Sequence, residues 1–267
     1  MATSPDSLTL YRYRRTNKGY TEDLGEGVSL TLMLIPAGEF IMGAPDGELE
    51  SDDRERPQHR VELPQFLMGR YPVTQAQWRV VAGYDRFKID LKPSPSAFKG
   101  DDLPVEQVTW HDAVEFCQRL SAKTKKNYHL PSEAQWEYAC RAGTTTVYHF
   151  GAQLTEEVAN YDGKVGQTTP VGRYPANGWG LHDMHGSVWE WCQDHWHSNY
   201  KGAPTDGSAW TKGGDSELRI LRGGSWLYDP RYCRSASRFY FEPGDDFSLI
   251  GFRVVCSAPR ALQRPTS

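Results

Sequence analysis

The side chains equipped for redox or metal chemistry are five cysteines and eight histidines. Cys117, Cys140, Cys192, Cys233 and Cys256 lie far apart, are odd in number and form no CxxC pair. That pattern suits neither a disulfide framework nor a structural zinc site, so the thiols are expected to be buried in a reducing compartment. His182 with His185, and His195 with His197, are close in sequence but lack a matching cysteine or carboxylate set for a transition metal. The other chemically loaded stretch is WLYDPRYCRSASRFYFEPGDDFSL, residues 226–249. It holds seven aromatics in 24 residues, more than twice the 12% of the whole chain. Phe239, Tyr240 and Phe241 are consecutive. Neighbours alternate across a strand and spread around a helix, so all three cannot enter one core, and clustered exposed aromatics mark a binding surface.

The elements that must position this segment announce themselves by turn and cap chemistry. VSLTLMLIPAGEFIMGA (28–44) reads as two short strands broken at Pro36-Ala37-Gly38, and VELPQFLMGRYPVT as further β-rich chain. Thr74 precedes the helix QAQWRVVAGY, whose Trp78 and Val81 share a face, and Thr109 or Asp112 precedes DAVEFCQRLSAKT. In LPSEAQWEYACRAG, Pro131 ends an extended stretch, Ser132 caps, Gln135 sits at the capping-box position and Gly143 closes the helix. Beyond residue 145 periodicity fades into Gly, Pro, Asn and Trp, so short strands and loops pinned by aromatics are expected there. The sum is an α+β domain with helices early and an irregular β-rich second half. No period of 20 to 50 residues repeats, which excludes a solenoid or propeller.

With 267 residues and 38% hydrophobic content the chain has material for a substantial core. No linker interrupts it, so one domain is expected over 26–257, after a polar arm (1–25) containing YRYRR and before a tail (258–267). The net charge of -4 and scattered Lys and Arg argue against a nucleic-acid-binding surface. MATSPDSLTL lacks the charged and apolar regions of a leader, and no apolar run is long enough to cross a bilayer, so a soluble cytoplasmic protein without membrane contact is expected.

The punctuation forms an ordered series: PAGEFIMG, HRVELPQFLMGRYPVTQAQW, LPVEQVTWHDAVEFCQRLS, LPSEAQWEYACRAG, NGWGLHDMHGSVWEWCQD, LRGGSW and IGFRV, over residues 35–255. Together these closely resemble the formylglycine-generating-enzyme, or sulfatase-modifying-factor, family. The resemblance implies a C-type-lectin-like fold poor in regular secondary structure, with its site in the C-terminal third. Trp110, Trp136, Trp179, Trp189 and Trp191 then read as packing residues whose indole N–H groups tie down loops.

Active members of that family carry two cysteines five residues apart after the Gly-Gly-Ser motif, which bind copper and engage the substrate thiol. In GGSWLYDPRYCRSASR the second position is Cys233 and the first is Tyr228. A phenol neither holds Cu(I) as a thiolate does nor exchanges disulfides, so no copper is expected and Cys233 reads as a buried residue rather than a catalytic one. A second enzymatic branch, the sulfoxide synthases, pairs this fold with an iron-binding helical bundle upstream. With roughly 25 residues before the conserved region, no such bundle is expected here.

Within 226–249 the positions that fit the family frame interleave with positions that do not. This resembles the variable proteins of diversity-generating retroelements, in which adenine-directed mutagenesis rewrites asparagine codons and the enzyme-like fold serves as a display frame. The resemblance implies a ligand-contacting set of Trp226, Leu227, Tyr228, Asp229, Tyr232, Ser237, Phe239, Tyr240, Phe241, Phe247, Ser248 and Leu249, meeting a protein or other macromolecule. Tyr and Phe give contact area at small rotamer cost, and Ser and Asp add adaptable hydrogen bonds. An oxygen- and copper-dependent oxidoreductase with a degenerate cysteine pair, and a regulatory or structural domain, are the alternatives. The family also implies structural Ca²⁺: Asp183 and Glu190 through carboxylates, Gly186 and Val188 through carbonyls. Asn160 and the Tyr161 carbonyl match a second calcium site whose following loop is shorter here than in the enzymes.

Overall fold

The computed structural model describes residues 14–257. Its strands are β1 (Gly19–Gly25), β2 (Val28–Ile35), β3 (Gly38–Met42), β4 (His59–Leu63), β5 (Phe66–Gly69), β6 (Tyr128–His129), β7 (Trp189–Trp196), β8 (Asp215–Arg222), β9 (Arg238–Phe241), β10 (Ile250–Gly251) and β11 (Val255–Ser257). The helices are α1 (Gln75–Ala82), α2 (Trp110–Thr124) and α3 (Glu133–Arg141). Helices come early and the second half is loop-rich, the mixed α+β architecture expected.

Each helix starts where its cap chemistry places it. Thr74, Thr109 and Ser132 accept from the third helical residue, and Gln77, Asp112 and Gln135 return the bond, so all three N-termini are complete capping boxes. Thr109, not Asp112, is the cap of α2. Pro36 and Ala37 separate β2 from β3. The polar arm is shorter than expected, because residues 19–25 form β1, antiparallel to β2. Glu22 in that strand is buried by the Tyr128 hydroxyl and the Lys126 ammonium at 2.6 Å each, a partnership invisible in local sequence. The rest of the arm up to residue 13 and the tail lie outside the described residues.

Three sheets result: β1-β2-β5-β11-β6, β10-β7-β8-β9 and the hairpin β3-β4. The last strand, β11, inserts between β5 and β6 and closes the domain. One core packs Trp78, Phe116 and Phe252 with centroids 5.2 to 6.1 Å apart, and another centres on Trp136, Ile35 and Met68. Trp136, Trp189 and Trp191 are fully buried; Trp110 and Trp179 lie at the margins. Indole N–H groups of Trp136, Trp191 and Trp110 reach Glu190, the Val108 carbonyl and the Cys192 carbonyl.

Between the layers runs a buried ionic lattice. Arg222 reaches Glu133 and Glu137, Arg141 reaches Glu137, Arg238 reaches Glu133, and Arg253 reaches Glu190, all at 2.6 to 3.1 Å. Each of these charges faces an opposite one, so the desolvation cost is offset by contacts that fix orientation.

Candidate functional site

The segment 226–249 is built by turns rather than by long elements. The Tyr228 N–H donates to the Ser225 carbonyl, and the Asp229 carboxylate caps a 3-10 turn, Pro230–Cys233, through the Arg231 N–H. Pro230 suits that first turn position because it has no N–H to satisfy. The loop at 160–163 fastens to this stretch from the side: Asp162 N–H donates to the Tyr228 carbonyl at 2.9 Å and Gly163 N–H to the Trp226 carbonyl at 2.7 Å. The Trp226 indole donates to the Ser248 carbonyl at 3.1 Å, so both ends of the segment are locked together.

Aromatic packing then forms a face over buried Trp189. Tyr228 and Phe239 lie 5.5 and 5.4 Å from its ring, Tyr232 packs edge-on at 5.0 Å to Tyr228, and Phe241 bridges Phe239 to Phe247. Burial and then the neighbouring Tyr232 push the Tyr228 phenol upward, so it stays neutral at physiological pH. Leu227 and Phe247 are the most open members, 50% and 47% exposed, while Trp226, Tyr228, Tyr232, Phe239, Phe241, Ser248 and Leu249 are half-buried. Asp229 is half-buried and paired to Arg231 at 3.2 Å.

Two members depart from the expected surface. Ser237 is only 3% exposed, because it lies between Ala236 and Arg238, which are tied into the interior; it cannot touch a ligand on this face. Tyr240 turns away from Phe241 toward Trp196, 4.3 Å off, as strand alternation requires. Trp196 in turn lines a cleft of about 400 Å³ with His197, Trp210 and Asp215. Phe98, edge-on to Trp226 at 5.6 Å, adjoins the face but carries no signal in its own sequence stretch.

Cys233 is fully buried among Tyr148, Ala159 and Tyr161, and burial raises its thiol far above the usual range. All five described thiols are free and buried. The donor set beside Cys233, a tyrosine ring and a backbone carbonyl of Asp229, does not fit Cu(I), which prefers soft thiolates.

The two loops expected to hold calcium are brought side by side. Asn160 and Gly186 form a parallel bridge, and the Asn160 carbonyl accepts from Ser187 N–H at 2.8 Å. Gly186 is required there: its φ is +82°, and a Cβ would sit 2.2 Å from the Asn160 oxygen. Asp183 Oδ2 accepts from the Gly172 N–H, whereas Oδ1 is buried without a partner; burial pushes this carboxyl up to about 6. Asn160 Oδ1 is likewise buried and unpartnered. These hard oxygens fit a cation such as Ca²⁺. Glu190 does not. Both its oxygens are taken, by Arg253 at 2.7 Å each and by the Trp136 indole, also at 2.7 Å. The Tyr161 ring packs beside Cys233, its hydroxyl donating to the Leu154 carbonyl.

Comparison with known proteins agrees with this architecture. Residues 26–258 match the sulfatase-modifying factor enzyme 1-like domain. The formylglycine-generating enzyme of Bos taurus is 28% identical over 83% of this chain and 73% of its own. PvdO from Pseudomonas aeruginosa superposes with a TM-score of 0.79 at 33% identity, over 92% of this chain and all of that one. Treponema denticola variable protein 1 gives 0.75 at 26% identity, over 91% of this chain and all of that one. On the ordered motifs, the fold and these matches, the chain belongs to the formylglycine-generating-enzyme, or sulfatase-modifying-factor, family.

Proposed function

We propose that this protein is a non-catalytic binding module, a variable protein of a diversity-generating retroelement, whose aromatic C-terminal face contacts a macromolecular ligand. The observation that carries the reading is Tyr228: it stands where the family's first copper-binding cysteine would, and its ring belongs to a half-buried aromatic face. The likeness to the Treponema denticola variable protein supports the same reading. Leu227, Tyr228, Asp229, Phe239, Phe241 and Phe247 are encoded by residue types reachable from asparagine codons by changing adenines, and all lie on or beside that face. The frame beneath them is fixed by buried ion pairs, which lets the face change without unfolding the domain.

A copper-dependent oxidation needs a second thiol beside Cys233, which is the only cysteine in its hydrophobic cluster among the described residues. The deciding experiment incubates purified protein with Cu(I), oxygen and a cysteine-containing peptide. The display reading expects no stoichiometric copper and an unaltered peptide. One copper per chain together with peptide aldehyde would overturn it.

We also propose that calcium is held by Asp183 with the Gly186 and Val188 carbonyls, supported by the unpartnered Asp183 oxygen. Glu190 remains with Arg253 and supports this turn from behind. Calcium here would be structural, fixing the turn that leads into β7.

A further inference from the structure

The segment 226–249 looks almost electrically balanced in sequence: four carboxylates, Asp229, Glu242, Asp245 and Asp246, against three arginines, Arg231, Arg234 and Arg238, a difference of one. Folding destroys that balance. Arg234 is 2% exposed and Arg238 is 3% exposed, and both point inward. Arg234 is held by Glu55 and Glu48 at 2.5 to 2.7 Å, and Arg238 by Glu133 at 2.6 and 2.9 Å. Their charge is consumed by interior glutamates and does not reach the surface.

The one guanidinium of the segment left outside, Arg231, is paired to Asp229 at 3.2 Å and lies over the Tyr232 ring. Glu242, Asp245 and Asp246 have no cationic partner among the described ion pairs; Asp245 only accepts the Glu242 N–H. They sit in the turn leading from Phe241 to Phe247 and so border the apolar face directly. On the other side, Lys164 stands 3.8 and 3.9 Å from Asp162 and Glu156, two carboxylates to one ammonium. Arg219, across the ladder from Phe241, places its guanidinium over Trp110 and donates to the Ser216 carbonyl. An apolar centre of Leu227, Tyr228, Phe241 and Phe247 is therefore bordered by excess negative charge.

We infer that this face docks a protein partner presenting apolar side chains ringed by Lys and Arg. The inference rests on the display reading and specifies the chemistry of its partner. Complementary border charge raises the encounter rate and repels acidic surfaces, while the central apolar contacts supply most of the hold. Such binding weakens with salt, since the border charges are exposed to screening.

A random peptide library panned against the folded protein alone, with each winner then assayed on the double variant Leu227→Ser/Phe247→Ser, tests both levels separately. The expected winners lose binding to that double variant and carry net positive charge. For the best of them, the triple variant Glu242→Gln/Asp245→Asn/Asp246→Asn should bind roughly tenfold more weakly and flatten the salt dependence. Winners that require Leu227 and Phe247 but are neutral or acidic would overturn this inference and leave the display reading standing. Enrichment indifferent to Leu227 and Phe247 would sink both.

Discussion

Arg238 and Glu133 meet through two hydrogen bonds, Nε to Oε1 at 2.6 Å and Nη2 to Oε2 at 2.9 Å, with both side chains out of solvent. Arg238 opens β9 and Glu133 opens α3, so this pair fastens the strand that carries Phe239–Phe241 to the helical layer. Removing Arg238 leaves buried Glu133 with Arg222 and the Tyr200 hydroxyl, both on Oε1, and its Oε2 unmatched. Arg238→Ala should cost about 3 to 5 kcal/mol of stability, read from denaturant midpoints. A change below about 1 kcal/mol would mean that the lattice is not what holds β9.

The face itself should be cheap to alter. Leu227→Ser and Phe247→Ser remove side chains that are about half exposed, so each should shift stability by roughly 1 kcal/mol or less. Tyr240→Ser/Phe241→Ser removes half-buried rings packed on Trp196 and Phe239 and should cost more, on the order of 2 kcal/mol. A thermal melt that falls further for Leu227 and Phe247 than for this second pair would place the exposed positions in the core.

His185 supplies a pH-dependent term of known sign. Its Nε2 accepts the His149 N–H at 3.1 Å, so Nδ1 carries the proton and donates to the Cys233 carbonyl at 2.7 Å. Burial pushes the imidazole down to about 4, and His149, stacked 4.9 Å away, is lowered too. A depressed value means that stability is present above the ordinary histidine range near 6.5 and is lost as pH falls toward 4. The stability difference between the wild type and His185→Gln should shrink by about 3 kcal/mol over that interval, measured by urea melts at each pH. A pH-independent difference would show that His185 is not buried as a neutral ring.

Calcium should act through Asp183. Burial raises this carboxyl to about 6, so without a cation it favours the protonated state and its stabilising contribution is lost as pH rises through 6. A bound cation reverses this by requiring the ionised carboxylate. The rise in melting temperature on adding Ca²⁺ after chelation should be larger at pH 7.5 than at pH 5 and absent in Asp183→Asn. An unchanged melting temperature at both pH values would remove calcium from the account.

The helix starts were legible because their signals are local: Thr74, Thr109 and Ser132 need only a partner three residues on. Ordered motifs likewise carried the fold. The charge of the face was not legible, since Arg234 and Arg238 are neutralised by Glu55 and Glu133, 179 and 105 residues away. The same distance hid Arg253 from Glu190, 63 residues earlier, which is why Glu190 reads as a calcium ligand in sequence and as half of an ion pair in the fold. Three consecutive aromatics guaranteed that one would diverge; only the register of β9 on β8 shows that it is Tyr240.

The thiols should be silent. Burial raises Cys140 to about 12 and Cys256 to about 11, and Cys117, Cys192 and Cys233 are raised as well. Native protein should consume almost no thiol reagent within minutes, and five equivalents after denaturation. One rapidly reacting thiol lost in Cys233→Ser would restore an exchange-competent cysteine.

Whether this face is rewritten in nature is read by sequencing this gene and its downstream DNA across many isolates of the host. Substitutions should concentrate at the codons for Leu227, Tyr228, Asp229, Tyr232, Phe239, Phe241, Phe247, Ser248 and Leu249. A nearby copy should bear asparagine codons at those places, beside a reverse transcriptase. Substitutions spread evenly along the chain, with no such copy, would contradict the display reading.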